Sequence, residues 1–189
     1  INKALGPWNL MKPEVVVSVP AGITSAERRI VIDAGLRAGA KNVIPAKEPI
    51  LAAIGAGIPI YEPTGHMVVD IGGGTTDVAV ISLGSIVTAK SVKCAGNKID
   101  QAIVDYVRQT HSLAIGERTA EKIKIKIGGA MRQAPENELE ILIKGRDYVS
   151  GLPKQVKMST NEVVYAIERE LATMIQAIRD VMHDTKPEL

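Results

Sequence analysis

The run Asp70-Ile71-Gly72-Gly73-Gly74-Thr75-Thr76-Asp77 constrains this chain more than any other stretch. It sits between Met67-Val68-Val69 and Val78-Ala79-Val80-Ile81, apolar segments that read as two short buried strands. Glycines leave backbone N–H groups unshielded, so a phosphate can approach them closely. Two hydroxyls and two carboxylates at the same turn suit a hydrated Mg²⁺, which takes oxygen ligands and keeps most of its water. The run is therefore a candidate phosphate loop. A Gly-rich hairpin without a ligand is the plainer alternative, but three consecutive glycines cost a strand connection entropy that some requirement must offset.

The rest of the composition narrows the class. A chain of 189 residues, 46% hydrophobic and 23% charged, is globular rather than disordered. No apolar run approaches the roughly 20 residues of a membrane span. The opening Ile1-Asn2-Lys3 carries neither a starting Met nor a signal-peptide pattern, so a piece of a longer protein is expected. Cys94 is the single cysteine, which excludes an internal disulfide and fits a reducing compartment. His66, His111 and His183 share no metal-ligand spacing. Net charge is +2, aromatics make up 3% and Phe is absent, so nucleic acid is not an expected partner.

Along the chain, Glu14 to Val19 reads as a strand stopped by Pro20, and Thr24-Ser25-Ala26-Glu27 has the pattern of a capping box. Ala26, Ile30, Ala34 and Ala38 then recur every four residues, with Gly39 placed to end the helix. A strand near Val43-Ile44 precedes a helix opened by Glu48-Pro49, lined by the small residues Ala52, Ala53, Gly55 and Ala56. Strand and helix alternate as in an α/β domain. Leu83-Gly84-Ser85-Ile86 reads as a tight hairpin turn with Gly84 first of its two central residues. Ile99, Ile103 and Val107 share one helical face. Lys122 to Ile127 alternates with period two, the signature of a strand. Leu139 to Ile143 is a clearer strand, and Gly145 to Pro153 is turn-rich. Val164, Ile167, Leu171, Met174, Ile178 and Val181 form a helical stripe suited to a coiled coil or to packing on a core.

Together these stretches resemble the actin-like ATPases and, more closely, the bacterial rod-shape proteins MreB and Mbl. The resemblance rests on Val19-Pro20-Ala21-Gly22-Ile23-Thr24, Glu48 to Gly55, Met67 to Ser82, and Gly116-Glu117-Arg118-Thr119-Ala120-Glu121-Lys122-Ile123-Lys124. Gly151-Leu152-Pro153 and Pro187-Glu188-Leu189 fit as well. The Gly-rich run alone would admit chaperone ATPases; joined to Gly-Glu-Arg-Thr-Ala-Glu it points to the MreB group.

The resemblance implies an α/β, actin-like (ribonuclease H-like) fold of two lobes with ATP in the cleft between them. Residues 1–62 would be the C-terminal part of the first-lobe core. Residues 63–98 and 160–189 would be part of the second-lobe core, with 99–159 as its small subdomain. Asp70 would hold Mg²⁺ through water. Gly72, Gly73, Gly74, Thr75 and Thr76 would bind phosphates, with Thr75 also serving catalysis. Glu48 would position the attacking water; its place before Pro49 biases its backbone towards an extended form. Glu121, Lys122, Ile123 and Lys124 would meet the nucleoside, Glu121 and Lys124 directly. Those two face the same way only if the alternating segment is helical, and the helix is the reading adopted, since tertiary context overrides short alternation. Glu48 as a solvated first-turn charge and the lysines as a solvated face remain open alternatives.

Trp8, Leu10 and Met11 stand where the family inserts apolar residues into the membrane, and their chemistry suits an interfacial anchor; exposed loop residues, or residues buried against other parts of the lobe, are open alternatives. The resemblance further implies a cytoplasmic protein, peripheral on the inner membrane face, that polymerises with itself and meets membrane-anchored cell-shape proteins. Its filaments would organise wall synthesis and rod shape, with ATP hydrolysis weakening subunit contacts. The match has gaps: the family's N-terminal Asp-Leu-Gly-Thr loop and its later adenosine loop are missing, and Asn97 stands where relatives usually carry Asp. Weak ATP binding, no turnover by this piece alone, and a partly exposed C-terminal stripe are the corresponding expectations. Rival readings are an ATP-driven chaperone or small-molecule kinase of the same fold, or a non-catalytic partner-binding module.

Overall fold

The computed structural model describes residues 12–189, so Trp8, Leu10 and Met11 lie outside the described residues. Two compact units emerge. The first takes the chain up to Asp70, then Asp77–Ser91 and Ala177–Leu189; the second takes Ile71–Thr76 and Val92–Gln176.

In the first unit, β1 (Glu14–Val19) lies parallel to β2 (Asn42–Lys47), with Glu14 opposite Asn42 and Val19 opposite Lys47. The helix α1 (Ser25–Arg37) makes the crossover. Its capping box is present: Thr24 Oγ1 accepts from Glu27 N at 3.2 Å, and Glu27 Oε2 accepts from Thr24 N at 2.9 Å. Gly39, at φ +101°, ends it in a conformation that side chains disfavour. The four-residue stripe behaves differently from expectation. Ala26, Ile30, Ala34 and Ala38 are exposed, and Val31, Ile32 and Gly35 are the partly buried positions. A Cβ on Gly35 would lie 2.5 Å from Val43 Cγ2. The glycine therefore sets which face of α1 meets β2, and the stripe turns outward.

The helix α2 (Glu48–Gly55) follows β2 without a loop, with Pro49 in its first turn. Glu48 is its first helical residue rather than an extended one; Lys47, at φ −71° and ψ 128°, absorbs the change from strand to helix. A core of Ala53, Ile60, Val68, Ala79 and Ile81 holds this helix to a sheet ordered β3-β4-β5. Every residue of the central strand β4 (Thr76–Ser82) is buried, as a continuous apolar run predicts. In β3 (His66–Ile71), Val68 is buried but Met67 and Val69 are 38% exposed, because β3 is an edge strand. β5 (Ser85–Val92) starts one residue earlier than the sequence suggested. The turn is centred on Leu83 (φ 50°) and Gly84 (φ 72°), both left-handed, so Gly84 is second and not first. Bonds from Leu83 N to Glu62 O (3.0 Å) and from Gly84 N to Ile60 O (2.8 Å) hold that register.

In the second unit, α3 (Gly96–His111) and α4 (Glu117–Ile127) pack beside a sheet of β6 (Leu113–Ala114), β7 (Glu140–Asp147) and β8 (Pro153–Ser159), paired antiparallel in that order. The Ile/Lys run is helical. Ala120, Ile123 and Ile127 are buried at helical spacing, and Ile125 alone of its isoleucines is left 73% exposed. Three core contacts outweigh the local alternation. β7 runs through Gly145 and Arg146, which the sequence had placed in a turn. A Cβ on Gly145 would lie 2.3 Å from Ala114 O, so this glycine marks close approach of β6. The last helix, α5 (Thr160–Asp184), buries Val164, Ile167, Met174 and Val181 within the chain. The stripe thus serves mainly the core, while Leu171 and Ile178 are only half-buried, in line with the partly exposed stripe expected from the sequence.

Leu83 sits in a conformation that costs a non-glycine residue about 1 kcal/mol or more. Leu83→Asn should raise the denaturant midpoint, by about 0.5–1 kcal/mol of stability; an unchanged or lower midpoint would show that Leu83 packing outweighs its backbone strain.

Candidate functional site

The Gly-rich turn joins β3 to β4 and is anchored on one side only. Gly72 N donates to Thr75 O at 2.9 Å, closing the turn. The carbonyls of Gly72 and Gly73 accept from Gly96 N (3.1 Å) and Asn97 N (2.8 Å), the first amides of α3. These bonds satisfy donors that a helix start leaves without intrahelical partners. Thr76 is fully buried and donates its hydroxyl to Cys94 O at 2.7 Å. Its hydroxyl is thus spent on holding the loop, while its neighbour Thr75 is half-buried. Among the described residues, nothing pairs with the N–H of Gly73, Gly74 or Thr75, or with the Thr75 hydroxyl.

The glycines are not explained by the chain itself. None of Gly72, Gly73 and Gly74 has a left-handed φ. A Cβ on Gly74 would meet nothing within 4 Å, and one on Gly72 would meet only Thr75 O at 3.5 Å. Gly73 is tighter, since a Cβ there would lie 3.3 Å from Asn97 Oδ1. Backbone conformation and internal packing would accept alanine at Gly72 and Gly74. Bare, unpaired amides in open space are what an anion needs.

In the first unit, four polar side chains come together from four elements: Ser18 at the end of β1, Glu48 at the start of α2, Asp70 in β3 and Asp77 in β4. Asp77 is 1% exposed and its Oδ1 accepts from Ala21 N at 2.9 Å, fixing the turn after β1. Burial pushes the Glu48 carboxyl above its usual range; the charges of Asp77 and then Asp70 push the same way, and a Ser18 hydrogen bond opposes them. No group of three or more His, Cys, Asp or Glu is arranged to hold a metal directly among the described residues.

On α4, Glu121 and Lys122 are exposed, Lys124 is half-buried and Ile123 is fully buried in the core. The side chain of Ile123 is spent in the core. The Lys124 ammonium lies 2.9 Å from Asp100 Oδ1, donates to Oδ2 at 2.9 Å, and reaches Gly96 O at 3.4 Å. Sequence reasoning missed Asp100. A buried acid four residues into a helix, facing a lysine 24 positions on, leaves no local signal. Cys94 is a poor nucleophile, since burial raises its thiol above the usual range and its Sγ donates to Glu170 O.

Comparison with known proteins settles the family: the family model of the MreB/Mbl protein matches residues 1–189. The chain belongs to the MreB/Mbl family. It is 46% identical over 189 residues to the cell shape-determining protein Mbl of Bacillus cereus, covering 100% of this chain and 56% of that protein. It is 44% identical over 178 residues to the cell shape-determining protein MreB of Escherichia coli, covering 94% of this chain and 50% of that protein. Among solved structures, MreB 5 of Spiroplasma citri bound to AMPPNP superposes with a TM-score of 0.91 at 39% identity, covering 100% of this chain and 56% of that one. The fold is therefore that of the actin-like ATPases. The chain spans about half the length of the MreB and Mbl relatives it matches.

Glu48 carries a stability consequence that is independent of any ligand. A carboxyl whose folded pKa is raised adds stability below the ordinary Glu range and loses it as pH rises through the raised value. Glu48→Gln should therefore be more stable than the wild type at pH 8, with the difference vanishing below about pH 4. Urea midpoints at both pH values decide this; a variant no more stable at pH 8 would show that neither burial nor the neighbouring carboxylates raise the Glu48 carboxyl.

Proposed function

We propose that this chain is the central part of an actin-like cytoskeletal protein that binds Mg-ATP and polymerises into filaments. In the complete protein these filaments lie on the cytoplasmic face of the membrane, meet membrane-anchored cell-shape proteins, and organise wall synthesis and rod shape. In that protein, residues up to 62 would end the first-lobe core, 63–98 and 160–189 would belong to the second-lobe core, and 99–159 to its small subdomain. The observation that carries the nucleotide reading is the turn of bare glycines with unpaired amides. AMPPNP in the Spiroplasma citri relative supports it.

On this reading, Gly73, Gly74 and Thr75 donate to the phosphate oxygens, and Thr75 adds its hydroxyl. Thr76 and the α3 amides keep the loop in place, so the donors are oriented before the ligand arrives. Asp70 would hold a hydrated Mg²⁺ through water. Bound Mg²⁺ neutralises charge on the phosphates. Glu48 orients the attacking water, and its raised proton affinity suits it to draw a proton from that water. Glu121 and Lys124 meet the nucleoside.

Titration of this chain with Mg-ATP, followed by amide NMR, tests the reading because NMR registers weak affinities. The amides of Gly73, Gly74 and Thr75 should shift, and Asp70→Ala should abolish the shift. No perturbation of these amides up to roughly 10 mM Mg-ATP would overturn the assignment.

A further inference from the structure

We propose that Asp100 is a positioning residue for nucleoside recognition: it places the Lys124 ammonium and ties α4 to the helix that holds the phosphate loop. The proposal rests on the Mg-ATP reading above and extends it to a residue with no assigned role.

A continuous path of hydrogen bonds runs within the second unit. The loop carbonyls of Gly72 and Gly73 accept from the amides of Gly96 and Asn97. One turn further along α3, Asp100 holds Lys124 of α4, and the Gly96 carbonyl takes the same ammonium at 3.4 Å. Gly96 is thus bonded to the phosphate loop through its N–H and to Lys124 through its C=O. Space is matched to this arrangement, since a Cβ on Gly96 would sit 3.5 Å from Lys124 Nζ and 3.3 Å from Gly72 O.

Asp100 is 9% exposed, which makes it one of few buried carboxylates among the described residues. Its Oδ1 is the buried side-chain atom without a hydrogen bond among those residues, although the ammonium lies beside it. A buried carboxylate short of donors holds its one cation strongly, and a lysine side chain otherwise has many rotamers to lose on binding a ligand. Ordering Lys124 beforehand removes that cost from nucleoside binding. An ordinary structural ion pair would also join the two helices, but it would not discriminate between ligands with and without a nucleoside.

That difference defines the experiment. Affinities of this chain for Mg-ATP and for Mg-tripolyphosphate, which has no nucleoside, are measured by NMR for the wild type, Asp100→Asn, Asp100→Glu, Lys124→Met and the Asp100→Asn/Lys124→Met double variant. Thermal midpoints are recorded alongside. Asp100→Asn should weaken Mg-ATP about tenfold without weakening Mg-tripolyphosphate, Asp100→Glu should recover part of the loss, and the double variant should be no weaker than Lys124→Met alone. Unchanged Mg-ATP affinity in Asp100→Asn, equal losses for both ligands, or additive losses in the double variant would overturn the positioning role while leaving the nucleotide reading intact. A wild type that binds neither ligand would overturn the nucleotide reading and this role with it.

Discussion

The first two amides of α3 bonded to the carbonyls of Gly72 and Gly73 are the interaction on which the rest of the second unit's chemistry depends. A turn of three glycines is too flexible to hold a shape by itself. Here its carbonyl side is bound to a helix start, and Thr76 adds a buried bond to Cys94 O. Both partners gain, because the helix start has donors to satisfy and the loop has acceptors. What remains uncommitted among the described residues is the set of N–H groups at Gly73, Gly74 and Thr75. Flexibility in sequence thus becomes a fixed row of donors in structure.

The first unit carries the opposite electrostatics. Glu48, Asp70 and Asp77 converge from a helix start and two strands; burial and the two neighbouring charges push the Glu48 carboxyl up, and a Ser18 hydrogen bond opposes them. Groups kept at a cost to stability are characteristic of working sites. The Asp100–Lys124 pair shows the converse in the second unit, where a buried acid is matched by a single base.

Much of this was legible from the residues. The capping box at Thr24 and Glu27, the Pro49 helix start and the β–α–β order are local patterns with local causes, and each is present. The Ile/Lys alternation was misleading taken alone; burial of Ile123 and Ile127 four apart shows the period that packing selected. Three features were not legible because they depend on distant partners. Gly145 looked like a turn residue until Ala114 O was found beside it. Gly35 turned the α1 stripe outward through its contact with Val43. Asp100 gained its meaning only from Lys124. At the candidate site, the glycine-rich turn between two strands was readable from the residues, whereas the different settings of Thr75 and Thr76 needed the Cys94 carbonyl.

Gly74→Ala tests the central claim most directly, with stability and Mg-ATP binding measured on the same sample. The free chain has open space at this position and no left-handed backbone. The account predicts a variant as stable as the wild type or more so, by up to about 1 kcal/mol, whose Mg-ATP affinity falls at least about tenfold because the added methyl blocks close approach to the amides. A variant that binds Mg-ATP as the wild type does would contradict the claim that the glycines are kept bare for a phosphate.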